Sequence, residues 1–319
     1  MTKQDLRIIY MGTPEFAVEP LKRMIENGYN VVAVVTQPDK PVGRHGSVLQ
    51  APPVKQFALE KGLPVLQPEK MKAPDFIETL RTYRADLQVV VAFRMLPEMV
   101  WAMPRFGTFN VHAALLPQYR GAAPINWAVI NGETRTGVTT FFLDHDIDTG
   151  CIIRQMPFDI PDEADVEYVY DGLMHLGADI CMKTLEDIIL AEGHPHCTPQ
   201  QVPADGLHPA PKLFKDTCRI DWHQSAKHVY DFVRGLSPYP GSWTELNTGQ
   251  VLKIYHATKT QESAGDYEPG QLVLQRRRLL IACADDLLQI DKLQLAGKKR
   301  MDAACFVNGL PAGEKYFVS

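Results

Sequence analysis

The stretch NVHAALLPQYRGAAP (110–124) places an amide and an imidazole two residues apart, at Asn110 and His112. In a β-strand, residues i and i+2 point to the same side, so these side chains would share one face of a strand end. An amide donor and an imidazole that can also move a proton suit the stabilisation of an oxyanion. The residues alone leave an alternative open, in which His112 is a satisfied, half-buried residue and Asn110 forms a turn.

A second candidate is DHDIDTG (144–150), in which three aspartates alternate. A calcium loop beginning at Asp144 would need glycine at its sixth position and glutamate at its twelfth. The sequence has Thr149 and Gln155 there, which excludes an EF-hand. A loop that carries one functional carboxylate is a better interpretation than a calcium site, but the spacing alone favours a plain Asp-Thr-Gly turn.

Other chemical signatures are missing from the sequence. MGTPEF (11–16) follows the first strand where a dinucleotide-binding fold would carry GxGxxG, but it lacks the second and third glycines. There is no P-loop, HExxH or GxSxG motif. HPHC (194–197) has metal-binding residue types but no partner pair, so we expect it to be a solvated loop and expect no metal site.

Two kinds of basic segment remain. TQPDKPVGRHGSVLQAPPVK (36–55) is a long loop, and loops of this length within compact domains are usually functional. RRR (276–278) and GKKR (297–300) are compact basic clusters that could contact phosphates. For each of them, a solvated surface is the alternative.

The elements that must position these residues alternate between strands and helices. Apolar runs typical of buried strands occur at LRIIYMG (6–12), NVVAVVT (30–36), LQVVVAF (87–93) and GTFNVH (107–112), with helical spacing of about ten residues between them. This pattern predicts an α/β fold, a Rossmann-like and mostly parallel sheet with helices on both faces. Ligands of such sheets bind outside the carboxyl ends of the strands, where Asn110 and His112 would lie.

The remainder of the chain predicts two further parts. An antiparallel strand pair over 136–160 and a long helix over 165–191 would complete an N-terminal catalytic domain, 1–192. A proline-rich linker, 193–208, would lead to a C-terminal domain, 209–319, whose short strands predict a small, OB-like β-barrel.

Composition sets limits on the protein class. The chain has 319 residues, 45% of them hydrophobic and 22% charged, with no run of about 18 apolar residues. The N-terminus lacks the apolar region of a secretory signal. Six scattered cysteines without a CxxC pair predict reduced thiols, and together these features predict a cytoplasmic protein without a membrane contact.

Charge is unevenly distributed. Residues 1–205 carry 18 Lys and Arg against 26 Asp and Glu, a net charge of −8. Residues 206–319 carry 15 against 12, a net charge of +3. The asymmetry suggests that the C-terminal part meets something anionic.

Taken together, the motifs resemble the methionyl-tRNA formyltransferases, members of the formyl-folate transferases. The resemblance is carried, in order along nearly the whole chain, by IIYMGTPEFA, VVTQPDKPVGR, KGLPVLQP, NVHAALLPQYRGAAPI, DIDTG, KLFKDTCRIDW, SPYPGSW and LQLAGKKRM. The NxH…LLPxxRGAAP block with a later DTG is shared by all formyl-folate transferases and implies the reaction. The QPDKPxGR loop and the C-terminal motifs imply the tRNA member.

The resemblance implies a catalytic triad of Asn110, His112 and Asp148, facing the formyl group of 10-formyltetrahydrofolate. It also implies two folate-contacting segments, in which Ala114 stands for the family's usual serine and Phe93-Arg94 for its more usual Tyr-Gly. Their members are Ala114, Leu115, Leu116 and Pro117, and Phe93, Arg94, Met95 and Leu96.

For the acceptor, the resemblance implies initiator methionyl-tRNA. The loop over 37–52 would order on tRNA, with Lys40 and Arg44 near the acceptor end, and Lys298, Lys299 and Arg300 would contact phosphates. We expect a monomer and no metal cofactor.

Four alternatives compete with this interpretation. A sugar-amine formyltransferase should lack the tRNA loop signature. A formyltetrahydrofolate hydrolase would carry a regulatory domain ahead of the first strand, which starts here at residue 6. Glycinamide ribonucleotide formyltransferase would end near the first-domain boundary. A non-catalytic tRNA-binding protein on the same fold would not need Asn110, His112 and Asp148.

Overall fold

A computed structural model describes residues 1–42, 48–204, 206–311 and 315–319. The chain divides into two compact units, neither of them continuous in sequence. The first unit comprises Met1–Arg120, Gly137–Phe158 and Tyr170–His208, and the second comprises Gly121–Thr136, Asp159–Val169 and Pro209–Ser319. The domain boundaries expected from the sequence stay a prediction.

A seven-stranded sheet forms the centre of the first unit, in the order β5-β2-β1-β6-β7-β8-β9. Its strands are β1 (Arg7–Gly12), β2 (Asn30–Val35), β5 (Val65–Leu66), β6 (Leu87–Val91), β7 (Thr108–His112), β8 (Arg135–Phe142) and β9 (Ile152–Asp159). The pairs among β5, β2, β1, β6 and β7 are parallel, and β8 runs antiparallel to β7. The predicted α/β class, with a mostly parallel sheet, is confirmed.

Helices connect these strands. They are α1 (Val18–Glu26), α2 (Pro53–Glu60), α3 (Pro74–Thr82) and α4 (Glu98–Trp101), and the long α6 (Val166–Leu190) follows β9. Proline occupies the first position of α2 and α3, where its missing N–H would have no intrahelical partner. One face of the sheet packs against α3 and α4 through a core that includes Ile9, Phe76, Leu80 and Val90.

The other face packs closely against α6. A Cβ at Gly177 would lie in ordinary contact, 3.6 Å from the side chains of Phe16 and Val111. At Gly172 it would lie only 2.3 Å from the ring of Phe158, so this position needs glycine. Because both faces are covered, the central strands are buried along their length, as β6 with five buried residues illustrates.

The strand register aligns three carboxyl ends at one edge of the sheet. Gly12 at the end of β1 pairs with Val91 at the end of β6, and Val91 pairs with Val111 in β7. His112 at the end of β7 lies opposite Thr139 in β8. The candidate side chains therefore project from the edge at which ligands of open α/β sheets bind.

The predicted loop over 37–52 has more regular structure than expected. Two short strands, β3 (Lys40–Val42) and β4 (Val48–Gln50), pair antiparallel with Lys40 opposite Gln50. The side chains of β4 are exposed. With three residues each and a proline in β3, the strands are too short to give a periodic signal in the sequence.

In its described residues, the second unit contains three helices and an antiparallel sheet. Its helices are α5 (Pro124–Ile130), α7 (Ala226–Leu236) and α8 (Ala303–Asn308). Its strands are β10 (Ser242–Glu245), β11 (Val251–Ser263), β12 (Leu272–Gln275), β13 (Arg278–Ala282), β14 (Asp286–Leu295) and β15 (Met301–Asp302). The order is β10-β11-β14-β13-β12, with β15 on β14, and the sheet surrounds a core that includes Trp222, Leu252, Leu279 and Leu288.

The C-terminal residues close this sheet into a barrel. Val318 bridges to Leu246 beside β10, and Phe317 bridges to Gln271 beside β12, so one segment joins the two edge strands. Gly270 has a φ of 85°, and a Cβ there would lie 2.2 Å from the carbonyl oxygen of Val318. The predicted small β-barrel is confirmed.

The expectation that all six cysteines are free thiols is wrong. Cys151 and Cys197 form a disulfide with a Cα–Cα distance of 5.5 Å. An isolated bridge between Ile152 and Thr198 sets the two backbones side by side, which brings the cysteines together from 46 residues apart. Sequence spacing could not reveal this pair, because the contact depends on the tertiary fold.

Among the residues that the structure describes, no helix combines the length and the apolar character needed to cross a membrane.

Candidate active site at the carboxyl edge of the sheet

His112 is buried at the end of β7, with 6% of its side chain exposed. Its Nε2 lies 2.9 Å from the carbonyl oxygen of Tyr119. Since a carbonyl oxygen can only accept, Nε2 must carry the hydrogen, and the neutral ring then has its lone pair at Nδ1. Nδ1 faces Asp148 at 3.8 Å from Oδ2. The nitrogen that carries the lone pair in the neutral ring is therefore the one that faces the carboxylate.

Asp148 lies in the turn between β8 and β9, with a φ of 55° in the left-handed region. Two residues later, a Cβ at Gly150 would lie 1.7 Å from the carbonyl oxygen of Phe142, so only glycine fits. The N–H of Phe142 donates to the carbonyl of Cys151 at 3.0 Å. The DTG sequence thus folds back tightly on the end of β8 and presents the Asp148 carboxylate, with 13% of its side chain exposed, to His112.

Asn110 lies two strand positions before His112, between Val90 of β6 and Phe141 of β8. Its Oδ1 is buried and has no hydrogen-bond partner among the described residues. A buried amide oxygen without a partner is costly in a folded protein and is typical of a site that receives a ligand. Because the amide can rotate, either its oxygen or its NH₂ group can face that ligand.

These three residues form one polar group at the sheet edge. Together they supply an amide donor, a proton carrier and a carboxylate that can compensate a charged imidazole. This arrangement can stabilise a negative charge that develops on a carbonyl oxygen and can move a proton close to it. The three predicted catalytic residues are thus brought together in the structure.

The segment predicted to contact folate, 114–117, follows β7 directly. Ala114 and Leu116 are buried, whereas Leu115 and Pro117 are half-buried. Thr139 holds this backbone from β8, because its Oγ1 donates to the carbonyl of Ala114 at 2.6 Å and accepts from the N–H of Leu116 at 3.1 Å.

Gln155 of β9 adds a second support to the same segment. Its Nε2 donates to the carbonyl of Leu116 at 2.8 Å and to Thr139 Oγ1 at 3.0 Å. Two side chains from neighbouring strands therefore fix the path of the backbone beside His112.

The second predicted folate segment follows β6 at the same sheet edge. Phe93 and Arg94 are half-buried, Met95 is 73% exposed, and Leu96 is buried in the core beside α3 and α4. The Arg94 guanidinium donates from Nη1 to the carbonyl of Glu69 at 2.9 Å and from Nη2 to the carbonyl of Pro68. Burial lowers the pKa of Arg94. The Arg94 side chain thus holds the loop that carries Pro68 and Glu69. These contacts accommodate an arginine at a position where the resemblance leads us to expect glycine.

Lys40 and Arg44 belong to the predicted tRNA loop. Lys40 is exposed at the start of β3, and Arg44 lies outside the described residues. Asp39 anchors the base of the loop, because its carboxylate accepts from Lys55 Nζ at 2.7 Å and from Gln67 Nε2 at 2.8 Å. These hydrogen bonds, from Gln67 first and then from Lys55, lower the pKa of Asp39.

In the second unit, Lys298, Lys299 and Arg300 are exposed on the turn that follows β14. The Arg300 guanidinium stacks on the ring of Tyr255, 3.6 Å from its centroid. Gln294 Nε2 donates to the carbonyl of Lys298 at 2.8 Å, which fixes the turn. The two lysines are thus presented to solvent on an ordered backbone.

The RRR cluster is partly neutralised. Arg278 pairs with Glu262 at 2.9 Å and donates to Gln289 Oε1 at 2.8 Å. Of the two basic clusters, the turn at 298–300 therefore presents its charge more freely.

The HPHC segment also has a defined place, since Cys197 forms the disulfide with Cys151. In the ranges that the structure describes, no three His, Cys, Asp or Glu side chains are grouped so that they could hold a metal ion.

Sequence reasoning missed the residues that support the site. Thr139 and Gln155 carry no motif, and their role appears only once β8 and β9 are placed beside the 114–117 segment. Gln200 lies in the predicted linker, yet its side chain bonds to the loop that carries Asp148. A polar residue in an aperiodic segment gives no signal that would single it out.

A mostly parallel sheet with an amide, an imidazole and a carboxylate at its carboxyl edge is typical of an α/β enzyme that acts on a carbonyl group. Sequence comparison specifies the group. The family model described as formyl transferase matches residues 6–185, and the model described as formyl transferase, C-terminal domain, matches residues 212–311. The chain belongs to the formyl transferase family.

Curated relatives resemble the chain over its whole length. It is 57% identical to the methionyl-tRNA formyltransferase of Parabacteroides distasonis over 326 residues, covering 100% of both chains. It is 52% identical to the methionyl-tRNA formyltransferase of Bacteroides thetaiotaomicron, covering 99% of each. The corresponding protein of Porphyromonas gingivalis is 45% identical over 325 residues, covering 100% of both chains.

Solved structures share the fold at much lower identity. WlaRD, a sugar 3N-formyl transferase solved in the presence of dTDP and 5-N-formyl-THF, aligns with a TM-score of 0.66 and 19% identity, covering 93% of this chain and 100% of its own. HypX from Aquifex aeolicus in complex with tetrahydrofolic acid aligns with a TM-score of 0.63 and 20% identity, covering 97% of this chain and 48% of its own.

Proposed function

We propose that the chain transfers the formyl group of 10-formyltetrahydrofolate to the amino group of methionine on initiator methionyl-tRNA, yielding N-formylmethionyl-tRNA for translation initiation. The observation that carries the reaction type is the placement of Asn110, His112 and Asp148 at one sheet edge, with His112 Nδ1 directed at the Asp148 carboxylate. The choice of acceptor is supported by the full-length similarity to three methionyl-tRNA formyltransferases.

Asn110 and His112 would act on the formyl oxygen. Attack by the methionine amine places negative charge on that oxygen, and the Asn110 amide would donate a hydrogen bond to it. Its buried Oδ1 has no partner among the described residues, so the amide can turn its NH₂ group toward the oxyanion without breaking a described hydrogen bond of that oxygen. His112, once protonated at Nδ1, would add a positive charge beside the same oxygen.

Asp148 would stabilise the protonated imidazole and so keep His112 positively charged while the formyl group is transferred. The hydrogen bond from Nε2 to Tyr119 leaves Nδ1 as the site of proton exchange. The proton from the attacking amine must reach the leaving folate nitrogen. His112, beside the Asp148 carboxylate, would accept this proton and pass it on.

The folate donor would supply an activated formyl carbon, held by the 114–117 and 93–96 segments. The first segment has a backbone fixed by Thr139 and Gln155 and can bind through main-chain groups, so alanine at position 114 is compatible with this role. Met95, at 73% exposure, could provide apolar contact for the pterin ring.

The tRNA would bind through Lys40 and Arg44 in the loop over 37–52 and through Lys298, Lys299 and Arg300 on the barrel. Exposed cations on an ordered turn suit phosphate contacts. We further propose that the protein acts as a monomer in the cytoplasm and without a metal.

The test is formyl transfer from 10-formyltetrahydrofolate to methionyl-initiator tRNA, with free methionine as an alternative acceptor. We expect transfer to the charged tRNA alone and its loss in His112→Ala. His223→Ala is the matched control, because that side chain is 80% exposed in the second unit. Consumption of the donor without tRNA formylation would mean that the acceptor is wrong. An active His112→Ala variant would refute the catalytic assignment.

A further inference from the structure

The segment Cys197–Gln200 lies along the loop that carries Asp148. Ile152 and Thr198 exchange backbone hydrogen bonds of 2.8 and 2.7 Å, and the Cys151–Cys197 disulfide crosses between the same two backbones. This part of the predicted linker therefore belongs structurally to the catalytic loop.

Gln200 makes the most direct contact with that loop. Its Nε2 donates to the carbonyl of Asp148 at 2.8 Å and to the carbonyl of Gly150 at 2.9 Å. A side-chain amide has two hydrogens on one nitrogen, and here each is directed at one of the carbonyls that flank Thr149. One side chain thus fixes the backbone on both sides of this turn.

Arg120 determines which way the Gln200 amide faces. Its Nη2 donates to Gln200 Oε1 at 2.7 Å, and its Nε approaches the same oxygen at 3.2 Å. Because a guanidinium can only donate, Oε1 must face Arg120, and Nε2 is then directed at the loop. The arginine of the RGAAP motif consequently acts on the catalytic loop through Gln200.

The loop needs such support. Asp148 has a φ of 55°, and a non-glycine residue in this region persists when its surroundings hold it there. The Asp148 carboxylate is 3.8 Å from His112 Nδ1, so a small rotation of the backbone would change the distance on which their interaction depends.

We propose that Gln200, oriented by Arg120, is a positioning residue that sets the Asp148 carboxylate against Nδ1 of His112. Its kinetic consequence rests on the proposed function, because the rate is read from formyl transfer. Gln200 itself does not contact the reacting atoms.

The first test is Gln200→Met, which keeps a side chain of similar length, removes the amide and adds no charge. We expect kcat for tRNA formylation to fall about 10- to 100-fold, because small misplacements of catalytic groups have effects of this size. The KM values for donor and tRNA should change less than twofold. The matched control is Gln201→Met at the neighbouring exposed position, which should leave kcat unchanged.

A second variant separates the two contacts of Gln200. Gln200→Glu keeps an oxygen for Arg120 but has no hydrogens for the carbonyls of Asp148 and Gly150. The proposal requires Gln200→Glu to lose kcat as Gln200→Met does. Full activity in Gln200→Glu would overturn the proposal. A lower kcat together with a higher KM and a lower thermal midpoint in both variants would also overturn it, because these changes would indicate a general loss of structure.

A spectroscopic measurement separates this proposal from the proposed function. The His112 ring signals in ¹H–¹⁵N spectra, assigned with His112→Ala, report the surroundings of Nδ1 in the absence of substrate. We expect Gln200→Met to change the pH profile of these signals and Gln201→Met to leave it unaltered. An unaltered profile in Gln200→Met would overturn the positioning role, even if the wild-type chain formylates tRNA. A changed profile in a chain that transfers no formyl group would support the positioning role and refute the proposed function.

Discussion

The imidazole of His112 is fixed at one nitrogen and open at the other. The carbonyl of Tyr119 accepts from Nε2, and this residue is itself held by a 2.7 Å hydrogen bond from its N–H to the carbonyl of His208. A backbone acceptor does not titrate and cannot be lost by changing a side chain. The orientation of the ring is therefore set by the chain path through YRG, and proton exchange is confined to the side that faces Asp148.

At the same scale, Asn110→Asp tests the amide as a donor. The substitution keeps the shape of the side chain but replaces the NH₂ group with a carboxylate oxygen, which repels a developing oxyanion. We expect kcat to fall by about 10²- to 10³-fold, the usual effect of removing an oxyanion donor. The measurement is kcat for tRNA formylation beside Asn308→Asp, which makes the same change at an exposed position of α8. A kcat within threefold of the wild type would exclude Asn110 as an oxyanion donor.

Single residues were predictable where their type carries the chemistry. Asn110 and His112 were candidates because of their type and spacing, and Asp148 because of its loop, but the family resemblance was needed to select all three. The tautomer of His112 could not be predicted, because it depends on a carbonyl seven residues further along the chain. Gln200 could not be found for the same reason, since its partners lie 50 and 52 residues away.

At the scale of elements, β8 and β9 support the 114–117 segment, which we propose binds the folate donor. Thr139 and Gln155 reach the 114–117 backbone from adjacent strands, so the segment is held by the sheet and not only by its own turn. We expect its position to be set before the donor binds, which lowers the entropic cost of binding.

Gln155→Met tests that support. The carbonyl of Leu116 would lose its donor inside a part-buried site, a loss that typically costs about 1–3 kcal/mol. If this free-energy cost weakens donor binding by the 114–117 segment, the KM for 10-formyltetrahydrofolate should rise roughly 5- to 100-fold while the KM for tRNA stays unchanged. Gln261→Met, at an exposed position of β11, is the control. Equal increases in both KM values would point to general loss of structure.

The base of the loop over 37–52 is a separate element with its own pH behaviour. Hydrogen bonds from Gln67 and Lys55 lower the pKa of Asp39 from its ordinary value of 3.8. Because folding lowers the pKa of Asp39, its carboxylate contributes to stability at every pH above its ordinary pKa. This contribution is lost as the pH falls through the lower pKa of the folded protein. The Asp39 carboxylate therefore stays charged throughout the neutral range.

For this anchor we expect Asp39→Asn to raise the KM for tRNA several-fold, by the same factor at pH 6 and pH 8, with the donor KM unchanged. Steady-state kinetics at the two pH values checks this, and Asp75→Asn, an exposed change in the first turn of α3, is the control. An effect that disappears between pH 8 and pH 6 would contradict the assignment, because Asp39 does not titrate there.

Elements with a clear period were predicted well. The helix over 166–190 and the buried strands follow from their apolar spacing. The β3–β4 pair and the bridge between Ile152 and Thr198 were not predictable, because each involves few residues and depends on a distant partner. β11 extends to Ser263, beyond its apolar run, because β14 offers it backbone partners as far as Asp286.

For the whole molecule, the charge asymmetry of the sequence becomes more specific in the structure. Some of the basic side chains in residues 206–319 form ion pairs with acidic ones, as Arg278 does with Glu262. The turn at 298–300 keeps its cations exposed. We therefore expect tRNA binding to depend on the turn at 298–300 more than on RRR.

Replacing Lys298 and Lys299 together by glutamine tests that expectation. Each lost phosphate contact should reduce the slope of log K against log salt by roughly 0.9, so the pair should reduce it by about 2 if both contact duplex phosphates. The measurement is tRNA affinity across a salt series. The matched control replaces Arg276 and Arg277 by glutamine, and an equal change of slope in both variants would contradict the assignment.

The fold class of both parts was predictable, whereas the closure of the barrel was not. Alternating helices and apolar strands fix the α/β sheet, and short strands with turns between them predict the barrel. Closure depends on two isolated bridges, at Val318 and Phe317, which have no periodic pattern. The local sequence determines which segments are strands, and the tertiary packing determines which strand edges meet.

The closure by Val318 also affects the timing of folding during synthesis. Leu246, its partner, leaves the ribosome about seventy residues earlier. At roughly 5–20 residues per second, synthesis of the intervening residues takes about 4–14 s, so the open edge of β10 is unpaired for at least that time. An unpaired strand edge can associate with other nascent chains, so we expect the second unit to engage a ribosome-associated chaperone during this interval, while the sheet that carries Asn110 and His112 is already complete outside the exit tunnel.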